Sequence, residues 1–281
     1  MEITVAQSAG FCFGVKRAIK TALDTARQGD SVEMLGDIVH NEDVVRQAEV
    51  AGIKKIEELG DGRCKTLLIR AHGSARQKIE EAERRGYRIV DATCPMVKEI
   101  HTIVADFDKR GLRVIIIGDK FHEEVQGICG QIDTPAFIID AVEHIPWGDL
   151  QVVEKAGVVV QSTQKAENMQ AIVDELRTRI MELEVCNTIC KATTKRQQEI
   201  KILPKQSDVV LVIGSRSSAN TKRLYEIARD LNPRTRWIQS ENDIELSWFT
   251  GAESIGITAG ASTPRETIND IVQFLEKAFC K

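Results

Sequence analysis

Two spacings of apolar residues alternate along the chain. Short β-rich runs occur at residues 3–5, 32–35, 67–69, 89–90, 114–117, 137–139, 158–160, 209–213 and 255–257. Between them lie segments with apolar residues three and four apart, the spacing of a helix that buries one face. Val15, Ala18, Ile19, Ala22 and Leu23 make one such stripe. Val97, Ile100, Ile103, Val104 and Phe107 make another, entered at Pro95 and stopped at Gly111. A third, Ile268, Ile271, Val272 and Leu275, follows Thr263-Pro264-Arg265-Glu266, which reads as a capping box with proline at the first helical position. The longest polar stretch, 191–199, reads as a solvated helix face. Strands alternating with helices predict an α/β fold of mainly parallel sheets covered by helices.

In open parallel sheets, ligands bind beyond the carboxyl ends of the strands, where loops and helix N-termini converge. The residues following the predicted strands are Cys12, His40 with Asn41, His72, Cys94, His122 with Glu124, Ser162 with Thr163, and Cys190. Ser217, Ser218, Asn220 and Ser262 complete the set. Nearly every residue able to do chemistry therefore falls at the same end of a strand.

Composition narrows the function classes. The chain has 281 residues, enough for two or three small domains, with 42% hydrophobic and 28% charged residues, an ordinary globular balance. A net charge of −4 supplies no basic field, so nucleic acid is not an expected partner. No run approaches the roughly 20 apolar residues of a membrane span, so no membrane partner is expected either. Met1-Glu2-Ile3-Thr4-Val5 does not resemble a signal peptide, and the expected location is the cytoplasm. Seven cysteines in a reducing compartment point to thiolate or metal chemistry rather than disulfides.

Cys12, Cys94 and Cys190 cut the chain into three stretches of similar length. That division predicts three pseudo-equivalent α/β domains at 13–94, 95–190 and 191–281, with residues 1–12 joining the third. Cys12 and Cys94 directly precede helices, whose free N–H groups favour the thiolate that binds iron. Taken alone, each of the three is more often a small buried hydrophobe than a ligand. Three thiolates leave one iron of a cubane cluster without a protein ligand, but they also suit a catalytic zinc with water. Cys186 follows Leu183 and Val185 at strand spacing and reads as strand interior. Cys64, Cys129 and Cys280 carry no assigned chemistry.

The motifs GFCFGV (10–15), HN (40–41), AHG (71–73), DATCP (91–95), HEE (122–124), TICKATTKRQ (188–197), SSAN (217–220) and TAGAS (258–262) together resemble the LytB family of 4-hydroxy-3-methylbut-2-enyl diphosphate reductases. They run in family order over nearly the whole chain. The resemblance implies three α/β domains around a central cavity. It implies a [4Fe–4S] cluster on Cys12, Cys94 and Cys190, with one open iron that takes the substrate hydroxyl. It implies reductive removal of that hydroxyl from the allylic diphosphate, giving isopentenyl and dimethylallyl diphosphates, the last step of the non-mevalonate isoprenoid pathway. Electrons come in the family from a ferredoxin or flavodoxin-type donor. The chain itself shows neither a GxGxxG turn after a strand nor a Walker A sequence.

Residue by residue, Glu124 matches the family's proton-delivering carboxylate, and enclosure should raise its pKa. Read alone, it is equally an exposed glutamate beside Glu123. His40, His72 and His122 match diphosphate ligands, as do Ser218, Asn220 and Ser262. The latter three equally suit helix capping alone. His101, inside a helical stripe, and His144 read as structural. Two positions depart from the family. The hydroxyl pair often written Thr-Thr is Ser162-Thr163 here, and Ala219 replaces a serine found in some members. The competing class is a non-catalytic iron–sulfur or zinc sensor that binds a phosphorylated metabolite. It needs neither Glu124 nor an open iron, and it usually carries an output element, which the sequence lacks.

Overall fold

A computed structural model describes residues 1–29 and 31–279. Cys280 lies outside the described residues. The strands are β1 (Glu2–Val5), β2 (Ser31–Leu35), β3 (Ile53–Ile56), β4 (Lys65–Ile69), β5 (Arg88–Asp91), β6 (Arg113–Ile117), β7 (Phe137–Ile139), β8 (Lys155–Val160), β9 (Glu182–Val185), β10 (Val209–Ile213), β11 (Thr235–Ile238) and β12 (Ser254–Ala259). The helices are α1 (Phe13–Ala26), α2 (Glu42–Val50), α3 (Arg76–Arg84), α4 (Pro95–Lys109), α5 (Glu123–Cys129), α6 (Trp147–Leu150), α7 (Ala166–Arg177), α8 (Lys191–Ile200), α9 (Ala219–Leu231) and α10 (Arg265–Phe279).

The strands form three four-stranded sheets, ordered β3-β2-β4-β5, β7-β6-β8-β9 and β1-β12-β10-β11, and every strand pair is parallel. Parallel pairing requires a crossover between partners, which the intervening helices supply. The chain divides into two compact units. One comprises residues 1–16, 39–45 and 191–281 and carries the third sheet. The other comprises 17–38 and 46–190 and carries the first two.

Sequence dictates the central strands directly. β10 reads VVLVI and is buried at every position, because helices cover both of its faces. In β8, Gly157 is required by close packing: a Cβ there would stand 2.3 Å from the Phe107 ring of α4. The strands absent from the sequence reading are edges. β3 (IKKI) and β11 (TRWI) mix charge into the strand, one device by which edges resist further pairing. β9 (ELEV), also an edge, ends at Val185. Cys186 is thus the residue after the strand rather than its interior, although its N–H still bonds the Val158 carbonyl at 2.9 Å.

Two helical expectations need correction. The 191–199 stretch is not a solvated face throughout, since Thr193, Arg196 and Gln197 of α8 are buried. The Arg196 guanidinium survives there because it donates to the carbonyls of Ala192 and Gly10. At the start of α10, the Thr263 hydroxyl donates to the Ile213 carbonyl at 3.1 Å, tying the helix to β10, and the helix begins at Arg265 rather than at Pro264.

Candidate active site

The reactive residues do lie just past strand ends. Cys12, Ser218 with Asn220, and Ser262 follow β1, β10 and β12 of one sheet. His40, His72 and Cys94 follow β2, β4 and β5. His122 with Glu124, Ser162 with Thr163, and Cys190 follow β6, β8 and β9. Because each sheet is all-parallel, these residues share the carboxyl end of their sheet.

In the unit built on the first two sheets, the central feature is Glu124 in the first turn of α5, which is 2% exposed. Its Oε1 accepts the Ser162 N–H at 2.6 Å, and its Oε2 pairs with the Ser162 hydroxyl at 2.7 Å. Burial pushes the carboxyl pKa up, against the lowering effect of both Ser162 bonds. Oε1 already accepts an N–H, so in the neutral acid the proton sits on Oε2 with Ser162 Oγ as its acceptor, whereas in the carboxylate the same hydroxyl donates to Oε2. His122 is the N-cap of α5, and its Nδ1 accepts the Glu124 N–H at 3.1 Å. That bond fixes the neutral tautomer with hydrogen on Nε2, which is then a donor. Gln161 bridges two strand ends: its Oε1 accepts the Asp119 N–H at 2.9 Å and its Nε2 donates to Thr163 Oγ1 at 3.1 Å.

Cysteine placement in this unit follows the backbone. Cys94 is the N-cap residue of α4, with Pro95 at its first position, and its N–H bonds the Ala71 carbonyl at 3.0 Å. Arg17 donates to the adjoining Thr93 carbonyl at 3.0 Å. The Cys190 N–H bonds the Ser162 carbonyl at 3.0 Å, and the Thr188 hydroxyl accepts from Val160 N at 2.8 Å, so the cysteine loop is pinned to the end of β8. The sequence reading overlooked an ionic group beside His72. Arg70 pairs with Glu123, whose other oxygen lies 3.6 Å from His72 Nδ1. Arg70 directly follows β4 and Glu123 stands between His122 and Glu124, so the post-strand rule points to both. Gly73 allows this turn, with φ of +77° and a Cβ position only 2.7 Å from His101.

In the other unit, the Cys12 N–H bonds the Ala261 carbonyl at 3.1 Å, and its Sγ accepts the Val15 N–H of α1 at 3.4 Å. Ser262 Oγ donates to the His40 carbonyl at 2.9 Å, and Asn41 Oδ1 caps α2 through Val44 N at 3.1 Å. Ser262 thus holds the His40 backbone in place. Ser218 caps α9 by accepting Thr221 N–H at 3.3 Å. Asn220, in the same turn, is 5% exposed, and its Nδ2 has no hydrogen-bond partner among the described residues. A buried amide donor at a helix N-terminus suits an anion. Glu42 also lies here and accepts the Ser215 hydroxyl at 2.8 Å, so this end of the unit is not purely cationic.

These motifs and this architecture coincide with a known family: the model of the LytB protein family matches residues 3–276. The chain belongs to the LytB family. It is 40% identical over 277 residues to a 4-hydroxy-3-methylbut-2-enyl diphosphate reductase of Geotalea uraniireducens, covering 99% of this chain and 98% of the relative. It is 37% identical to the enzyme of that name from Aquifex aeolicus, covering 96% and 94%. Among solved structures it resembles (E)-4-hydroxy-3-methyl-but-2-enyl diphosphate reductase, the terminal enzyme of the non-mevalonate pathway, with a TM-score of 0.73 and 35% identity over 99% of this chain and all of the other. It also resembles the E-1-hydroxy-2-methyl-but-2-enyl-4-diphosphate reductase of Plasmodium falciparum, with a TM-score of 0.90 and 28% identity over 98% and 88%.

The remaining cysteines and histidines of this LytB chain sit in different surroundings. Cys129 and Cys186 pack against the second sheet's core, and burial raises both thiols. Cys64 is exposed in a turn. Burial depresses His101 to about 4. His144 is exposed and pairs with Asp140 at 2.7 Å, which raises its pKa. No helix among the described residues is long and apolar enough to cross a membrane.

Proposed function

We propose that this chain removes the hydroxyl of 4-hydroxy-3-methylbut-2-enyl diphosphate by reduction, giving isopentenyl and dimethylallyl diphosphates, as the final step of the non-mevalonate pathway. The balance is one allylic alcohol carbon, two electrons and two protons in; one C–H bond and one water out. The observation that carries this reading is Glu124. Burial raises this carboxyl above its ordinary value, toward the form that can give up a proton, and expelling hydroxide as water needs such an acid.

The proton on Oε2 has one hydroxyl beside it, Ser162 Oγ, so Ser162 is the exit through which the acid acts. The replacement of threonine by serine at this position keeps that hydroxyl. Thr163, oriented by Gln161, supplies the second hydroxyl of the pair. The diphosphate is assigned to the donors: His122 Nε2–H, the imidazoles of His40 and His72, Asn220 Nδ2 and the start of α9 at Ser218. Ala219 is the first residue of α9, so its backbone N–H is available where its side chain offers nothing. Ser262, besides its family role as a diphosphate contact, supports His40 through the backbone.

Cys12, Cys94 and Cys190 are assigned as ligands of a [4Fe–4S] cluster with one iron left open. All three are partly buried cysteines outside any disulfide, in post-strand loops, and Cys12 Sγ already accepts a helix-start N–H, which suits thiolate ligation. Bound there, the cluster supplies single-electron transfer and a Lewis-acidic iron. The electron donor is a ferredoxin or flavodoxin-type carrier, and the location is the reducing cytoplasm. Each sheet with its helices is taken as one domain, divided near Cys94 and Cys190, with residues 1–12 in the third.

Anaerobic purification with iron and sulfide analysis, followed by Mössbauer and EPR spectra with and without the allylic diphosphate, tests the reading. The expected result is about four irons per chain, with one site altered by substrate. Zinc in place of iron, or a cluster blind to substrate, would remove it.

A further inference from the structure

A groove of about 510 Å³ opens beside Cys12 in the unit that carries the third sheet. Gln7, Ser8, Ala9 and Phe11 line it along with four cations, Lys16, Lys195, Arg196 and Arg265, and no carboxylate does. Lys16, Lys195 and Arg265 are exposed, while Arg196 is buried under the floor, bonded to the Gly10 carbonyl. Beside the groove, Glu199 accepts the Ser8 N–H at 2.9 Å and stands 3.9 Å from Lys195, so it offsets one of the four charges. Phe13, next to Cys12, is 73% exposed, a large apolar side chain left open to solvent.

We infer that this groove and its rim dock a small acidic electron-carrier protein, which delivers its electrons at the Cys12 end of the chain. The inference rests on the reductive activity proposed above. That activity consumes two electrons per turnover, and the sequence carries no nicotinamide or flavin fingerprint from which to draw them. The carrier is oxidised by one electron at each of two encounters. The two electrons and two protons then convert the C–OH to C–H and water. A rim of cations around an exposed aromatic residue, with a cysteine assigned to the redox group in the wall, matches such a partner. Opposite charge steers the encounter, and a small interface lets the oxidised carrier leave.

The test uses anaerobically purified holoprotein and an acidic ferredoxin as probe. Lys195→Glu with Arg265→Glu reverses the rim, and Lys54→Glu with Lys78→Glu makes the same charge change elsewhere. Ferredoxin affinity is measured by calorimetry at low and high salt. Turnover is measured with ferredoxin and, separately, with reduced methyl viologen. The rim variant should bind ferredoxin at least tenfold more weakly at low salt, with the difference shrinking at high salt. Its KM for ferredoxin should rise, and its viologen-driven rate should match wild type. Equal ferredoxin affinity in wild type, rim variant and control would overturn the docking surface. So would loss of inorganic diphosphate binding with ferredoxin binding intact, which would make the groove a small-anion site. Failure of the reductase reading looks different: wild type would then turn over with neither reductant, whatever the binding data show.

Discussion

Glu124→Gln separates the acid's chemistry from its structural role. An amide reproduces the neutral carboxyl almost atom for atom. Its carbonyl accepts the Ser162 N–H now bound at 2.6 Å, and its NH₂ donates to the Ser162 hydroxyl now at 2.7 Å. At low pH, wild type and variant should therefore agree to within about 1 kcal/mol, the net worth of one exchanged hydrogen bond. They diverge as pH rises. The unfolded carboxyl ionises near its ordinary value of 4.5, while the buried one holds its proton to a higher pH. Between those limits the unfolded state sheds a proton that the folded state keeps. Wild-type stability then falls by up to about 1.4 kcal/mol per pH unit through this group alone. The contribution is whole below 4.5 and lost once pH passes the raised value. Glutamine has no such slope. Urea unfolding of both chains from pH 4.5 to 8 gives the difference curve, in which the other titrating groups cancel. The variant should gain on wild type across the window, then level off. An infrared band of a protonated carboxylic acid should persist above pH 4.5 in wild type and be absent in the variant. Turnover should drop about 10²–10⁴-fold, the usual share of a general acid. Parallel stability curves would refute the raised pKa. A variant at wild-type speed would refute the acid role.

Four further outcomes follow from the same structure. Gly157→Ala drives a methyl to 2.3 Å from the Phe107 ring and should cost about 1–3 kcal/mol, so an unchanged urea midpoint would mean that α4 shifts freely. Tyr87→Phe removes a hydroxyl that donates to Glu33 at 2.6 Å and accepts from Gly60 N–H at 3.2 Å, and should cost about 1–3 kcal/mol at neutral pH. That loss should shrink in acid as Glu33 protonates, and a pH-independent loss would place the effect in packing alone. The His101 imidazole, depressed by burial to about 4, should stay neutral in NMR titrations down to that pH, with stability whole above 6.5 and falling by about 1.4 kcal/mol per unit below it; a midpoint near 6.5 would show the ring to be solvated. Asn220→Ala should weaken inorganic diphosphate binding about 10- to 100-fold by calorimetry, the worth of one hydrogen bond to a charged group, and equal affinity would return Asn220 to a structural role.

The sequence was most legible where burial is complete. β6, β8 and β10 lie inside their sheets, so their apolar runs needed no context. The edges β3 and β11 hid because each mixes charge into the strand, and IKKI or TRWI has no period-two apolar face to find, whereas the uncharged edge β7 (FII) was legible. The polar face of α8 misled for the opposite reason. Arg196 is buried by acceptors at Ala192 and Gly10, the second 186 positions away in the chain, and no local pattern encodes that. Motif positions were legible as chemistry, because a parallel sheet sends every post-strand loop to one end. Their partners were not. That Glu124 meets Ser162 depends on two strands, β6 and β8, being neighbours, and that pairing is a property of the sheet.

In the proposed mechanism, control of the reaction lies at the Glu124–Ser162 pair. Both Ser162 bonds favour the carboxylate, and only burial favours the acid. The two influences oppose each other at one side chain, so the protonation state is set by how dry the carboxyl stays. A stronger hydrogen-bonding partner would not make Glu124 a better acid; it would lower the pKa and weaken it. Serine at 162 is therefore no defect. It supplies the same one hydroxyl and one N–H that threonine would, and no further donor bonds the carboxyl to lower its pKa against burial. In the proposed mechanism, burial rather than hydrogen bonding thus holds the acid's pKa up, and any change that admits water beside Glu124 lowers it toward the ordinary carboxylate value.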